Sequence, residues 1–106
     1  MKDLSNFIHF TGDSFTGNLA SLSFDIDIFG EKLARTNDKA PLWRIKARTP
    51  KGRMIEIGGI WENQRQDGTG NYLSLSVNTG HSKFRANLGR FPGQDDEELM
   101  AVIAWD

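Results

Sequence analysis

Asp25 and Asp27 are the side chains in this sequence whose type and spacing first suggest chemistry. In an alternating segment they face the same way, about 7 Å apart by strand rise, a separation that paired glycosidase carboxylates can have. No set of sugar-binding aromatics surrounds them, so the plainer reading is the solvated face of an edge strand, where charge also discourages edge-to-edge aggregation. His9 and His81 are the only imidazoles. Neither lies in a nucleophile elbow or a metal-binding helix, and nothing in the spacing of the two histidines to a carboxylate supports a metal site. The sequence has no cysteine, so thiolate nucleophiles, disulfides and cysteine-based zinc sites are excluded. Gly68-Thr69-Gly70 lacks the lysine and the strand-to-helix setting of a phosphate loop and reads as a hairpin turn. These residues lead us to expect no enzyme, no catalytic residue, no metal and no cofactor.

Charge offers a different kind of site. The net charge is −1, which argues against a surface dominated by nucleic-acid-binding charge, but the charges are unevenly distributed. Lys39, Arg44, Lys46, Arg48, Lys51 and Arg53 fall in one stretch without an acid, while Asp95, Asp96, Glu97, Glu98 and Asp106 crowd the end of the chain without a base. Arg44, Lys46 and Arg48 share one strand face, as do Lys83 and Arg85. If those two strands are neighbours, they form a compact basic patch able to track phosphates, with Trp61 or Tyr72 as a stacking plane. The competing interpretation is an ordinary solvated face over an apolar core.

The elements that must carry these side chains alternate with a period of two. Ile8 and Phe10 begin the pattern, and Phe15, Leu19 and Leu22 mark a second segment. Phe24, Ile26 and Ile28 alternate with Asp25 and Asp27. Trp43, Ile45 and Ala47 alternate with the basic residues, and Trp43, in phase with Ile45, is expected in the core. Thr49-Pro50-Lys51-Gly52 supplies turn chemistry, so residues 42–62 read as a hairpin, with Gly58-Gly59 marking a β-bulge. Tyr72 to Val77 and Phe84 to Leu88 follow. Leu99 to Trp105 is almost continuously apolar and reads as a strand buried on both faces or at the sheet centre, placing Ile103 and Trp105 in the core and Asp106 outside. Residues 31–37 and 95–98 hold weak helical signals without an apolar stripe.

With 106 residues, 38% of them hydrophobic and 25% charged, the chain has the size and composition of one folded unit. We expect a single β domain over residues 1–106, all-β, with seven or eight short, mainly antiparallel strands in a small sandwich or partly open barrel. No apolar run approaches a membrane span and the start lacks the apolar core of a signal peptide, so a cytoplasmic location is expected.

A distributed pattern runs through these elements: Phe15-Thr16-Gly17-Asn18-Leu19, Lys39-Ala40-Pro41, Arg44-Ile45, and Glu56 to Trp61 (Glu-Ile-Gly-Gly-Ile-Trp). It continues with Tyr72 to Val77 (Tyr-Leu-Ser-Leu-Ser-Val), Ala86-Asn87-Leu88 and Ile103-Ala104-Trp105. Over about residues 7–106 this resembles a bacterial family known as domain of unknown function 736. The resemblance implies a small β protein encoded largely in proteobacteria, often beside genes of plasmids or other mobile DNA, with no catalytic residues to carry over. Here Leu42-Trp43 replaces a more polar stretch, Thr49 to Arg53 is unusually basic, and His81 to Arg85 replaces a segment that commonly contains proline.

The expectation is therefore a non-enzymatic binding module of mobile elements that docks on a protein or nucleoprotein partner, including as an anti-defence inhibitor. Its candidate surfaces are the basic set Arg44, Lys46, Arg48, Lys51, Arg53, Lys83 and Arg85 and the acidic set Asp95, Asp96, Glu97 and Glu98. The alternative is a single-stranded nucleic-acid binder using the basic set.

Overall fold

The structure is a computed structural model that describes residues 5–34, 39–65, 68, 70–80, 82–91, 93 and 98–105. Eight strands run in chain order: β1 (Phe7–Thr11), β2 (Ser14–Ala20), β3 (Asp25–Lys32), β4 (Trp43–Arg48), β5 (Met54–Gln64), β6 (Asn71–Asn78), β7 (Lys83–Arg90) and β8 (Leu99–Ala104). Each is antiparallel to the next, and β8 returns to β1 through Phe7 opposite Ala101, Ile8 opposite Met100 and His9 opposite Leu99. The sheet is thus a closed barrel with its strands in sequence order, rather than a sandwich or a partly open barrel. Closure removes every sheet edge. The expected edge-strand setting of Asp25 and Asp27 is corrected accordingly, since β3 pairs with β2 and β4 on its two sides.

Alternation does what the sequence pattern requires. Ile8 of β1, Phe15 and Leu19 of β2, Ile28 of β3, Ile45 of β4, Ile60 of β5, Leu75 and Val77 of β6, and Ala86 and Leu88 of β7 are buried and fill the lumen. A barrel of this strand number has an interior just wide enough for side chains. Trp43 is buried as expected, with Phe10 and Phe15 around it at centroid separations of 4.9 and 5.8 Å. At the opposite end, Phe24 meets Phe84 edge to face at 5.5 Å. Since β3 and β7 are four strands apart in the ring, that contact spans the lumen. Aromatic side chains therefore cork both ends.

Two glycines show how tightly the wall is packed. The Phe15 ring lies where a Cβ on Gly30 would stand, and the backbone of Ser76 and Val77 lies where one on Gly58 would stand. Gly58 follows a β-bulge, because Ile45 faces Gly58 while Lys46 faces Glu56, leaving Ile57 as the extra residue. The bulge expected at Gly58-Gly59 falls one residue earlier, at Ile57, and both glycines pair regularly, with Ile45 and Arg44. On the outside, the buried Asn18 of β2 fastens β3 and the residue preceding β1: its amide donates to Asp25 Oδ1 at 2.8 Å, to Asp27 Oδ1 at 3.3 Å and to the Ile26 carbonyl, while its Oδ1 accepts from Asn6 N. Asn6 in turn accepts from Ala20 N and, through its carbonyl, from Val102 N. The two aspartates are thus tied to a structural amide.

The terminal run departs from expectation. Val102 is buried, but Ile103 is 55% and Trp105 49% exposed. β8 is an ordinary two-faced strand with an apolar outer face, not one buried on both sides. Leu22, read as part of a strand, lies in the β2–β3 turn and is fully exposed. Among the described residues there is no helix; Glu31 and Lys32 end β3, and residues 35–37 and 95–97 lie outside the described set.

Candidate functional site

In a ring of sequential antiparallel strands the connections fall alternately at two ends. We call the end with the β2–β3, β4–β5 and β6–β7 turns the lower end; β1 starts there and β8 finishes there. The upper end has the β1–β2, β3–β4, β5–β6 and β7–β8 connections. Glu98 therefore lies at the upper end, and Asp95, Asp96, Glu97 and His81 lie outside the described residues. His9 faces outward on β1, opposite Thr16 and Leu99.

The basic residues do not form one patch. β4 and β7 are separated by β5 and β6, so Arg44, Lys46 and Arg48 do not adjoin Lys83 and Arg85 as a neighbouring pair of strands would. Within β4 the stripe is interleaved with acid from both sides. Glu31 of β3 lies 3.5 Å from Arg44 and 3.1 Å from Lys46, and Glu56 of β5 lies 3.2 Å from Arg44. The Arg44 Nε, although buried and close to Glu56, is not aligned for a hydrogen bond, so that contact is Coulombic. Two of the three cations in the β4 stripe, Arg44 and Lys46, are thereby neutralised by their own sheet.

The remaining cations gather at the lower end. Arg48 donates to the Gly52 carbonyl across the β4–β5 turn and lies over the Phe29 ring. Lys51 and Arg53 stand on that turn, and Lys83 and Arg85 begin β7. None of these five has a carboxylate within 4.0 Å among the described residues. The turn that holds Lys51 and Arg53 is itself fixed: Thr49 accepts from Gly52 N through its carbonyl and from Arg53 N through its hydroxyl, and Gly52 takes the left-handed conformation.

The same end collects the exposed apolar side chains. Leu22, Met54, Ile55, Ile103 and Trp105 are the large hydrophobic residues exposed among those described, and all five project from lower-end turns or the lower halves of strands. Trp105 is held in place, with its indole N–H donating to Asn87 Oδ1 at 2.8 Å and the Arg85 guanidinium 5.9 Å from its ring centre. Beside them lies a cleft of about 650 Å³ between the β4–β5 and β6–β7 turns. Ile26, Ala47, Ile55 and Ile57 give it an apolar floor, and Arg48, Thr49, Asn78 and Thr79 stand at its walls. The bulge contributes by adding Ile57, which reaches both the core and the cleft.

Trp61 and Tyr72, the proposed stacking planes, are on the outer face of β5 and β6 toward the upper end. Trp61 donates from its indole to the Lys39 carbonyl, and Tyr72 lies under Arg65. They do not share a surface with the lower-end cations. Sequence reasoning missed the grouping of Leu22, Met54 and Ile55. The available signal was Leu22 between Ser21 and Ser23 in a turn, where an apolar residue has no core to enter.

The described residues contain no cluster of metal-ligating side chains, and no helix long and apolar enough to cross a membrane. What the lower end provides is an apolar depression flanked by cations that have no carboxylate partner among the described residues, on an eight-stranded antiparallel barrel whose lumen is already full. The sequence matches over residues 4–106 the family described as Protein of unknown function (DUF736), and the chain belongs to that family. No curated protein and no solved structure matches it.

Proposed function

We propose that this protein is a non-enzymatic binding module that docks by the lower end of its barrel on a protein or nucleoprotein partner. The observation carrying the reading is the coincidence at one end of the exposed large apolar side chains, the cleft, and cations that have no carboxylate partner among the described residues. Exposed apolar groups rimmed by charge are the pattern of an interaction surface, and clustered charge steers encounter with a complementary partner. The cytoplasm is the proposed site of action, an expectation from the sequence. The link to mobile DNA implied by the family resemblance fits a partner among host defence complexes, with the barrel acting as a blocking inhibitor.

The test is capture of partners from a bacterial lysate by tagged protein, with and without nuclease, comparing the natural chain with the variant Lys51→Glu/Arg53→Glu/Lys83→Glu. A defined protein complex that survives nuclease and is lost with the folded triple variant is the expected result. Capture that the triple variant leaves intact overturns the reading. Capture that disappears with nuclease replaces it with direct nucleic-acid binding.

A further inference from the structure

We infer that the lower-end cleft receives an aliphatic side chain of a partner protein whose flanking residues are carboxylates. This rests on the docking reading and names the occupant. The floor of Ile26, Ala47, Ile55 and Ile57 presents only aliphatic surface, and its volume of about 650 Å³ exceeds a single side chain, leaving room for the backbone that carries it. Ile55 is half exposed while its cross-strand partner Ala47 is buried, so the depression exists where a small residue on β4 faces a larger one on β5. Filling it would remove Ile55 from water without rearranging the strands.

The charge at the rim selects what flanks that side chain. Arg48 lines the cleft together with Glu56, while Lys51 and Arg53 stand on the β4–β5 turn and Lys83 follows the β6–β7 turn on its two sides. None of these four cations has a carboxylate within 4.0 Å among the described residues. The Glu56 carboxylate in the lining is balanced by Arg44 at 3.2 Å, and Asp25 and Asp27 accept from the Asn18 amide. Acidic residues on either side of the inserted group therefore meet complementary potential. A nucleic acid would also meet positive charge, but single strands bind through bases stacked on aromatic planes. The cleft's lining offers none, Phe24 and Phe84 at this end pack on each other, and the exposed Trp105 already has Arg85 near its ring and Asn87 on its indole N–H.

The experiment uses fluorescein-labelled synthetic peptides Asp-Glu-Leu-Glu-Asp and Asp-Glu-Ser-Glu-Asp, with an oligothymidine as the nucleic-acid probe, read by fluorescence anisotropy at low salt. The leucine peptide should bind roughly tenfold more tightly than the serine peptide, the value of burying one aliphatic side chain. Ile55→Ser should erase that preference, and Lys51→Glu/Arg53→Glu, or separately Lys83→Glu, should weaken both peptides. Thermal melts confirm that each variant is folded. Equal binding of the two peptides, no binding of either, or tighter binding of the oligothymidine overturns the inference. If the peptides fail while partner capture still depends on the lower-end cations, the docking reading stands and only its occupant is wrong. If capture is indifferent to those cations, the docking reading itself fails.

Discussion

Two tryptophans have opposite fates, and the difference comes from what lies beside them. Trp43 alternates with Arg44, Lys46 and Arg48, so only one phase puts charge in water, and the indole goes to the core. Trp105 ends a run, Leu99 to Ala104, in which no polar residue distinguishes the two faces. The face is settled instead by pairing, because Leu88 faces Val102 and carries it inward, which turns Ile103 and Trp105 outward. Their mutational costs should therefore diverge. Trp43→Ala should destabilise by about 3–5 kcal/mol, the range for an emptied aromatic core site, whereas Trp105→Ala should cost about 1 kcal/mol or less, as surface changes usually do. Denaturant unfolding of both variants checks this, and a Trp105→Ala loss as large as that of Trp43→Ala would contradict the outward placement.

At the scale of elements, the alternating stretches were legible because each mixes charge with apolar residues: β3, β4 and β7 read directly, and so did the turn between β4 and β5. What no strand announces is its neighbour. Lys83 and Arg85 look in sequence like a continuation of the basic face of β4, yet β5 and β6 stand between them, and Glu31 and Glu56 enter the stripe from flanking strands. The cleft was illegible for the same reason, since Ile26 and Asn78 meet Ile55 only after the ring forms. Closure also gives β8 a role its composition does not suggest. It pairs with β7 over five positions and with β1 over three, so its removal exposes two edges at once. Deleting residues 99–106 should unfold the domain or drive it to aggregate through those edges. A deletion variant that stays monomeric with an unchanged melting temperature would show that β8 is dispensable.

The whole molecule has a polarity that neither end shows alone. Its lumen is packed from the Phe10, Phe15 and Trp43 cluster above to the Phe24 and Phe84 contact below, so binding must occur on the outside or in the lower cleft. The seam between β1 and β8 is the shortest of the eight pairings, and the described chain enters and leaves the barrel at the same lower end, at Asn6 and Trp105. This arrangement sets how the barrel responds to a pulling force. Tension between those two residues acts across the seam at its lower end and loads its hydrogen bonds one after another, as a zip fastener is opened, instead of loading all of them together in shear. The Asn6 carbonyl bond to Val102 N is the first tooth. In an optical trap the barrel should yield at low force by opening at β1 and β8, and anchoring the pull at Thr11 and Trp105, which sets the seam in shear, should raise the unfolding force.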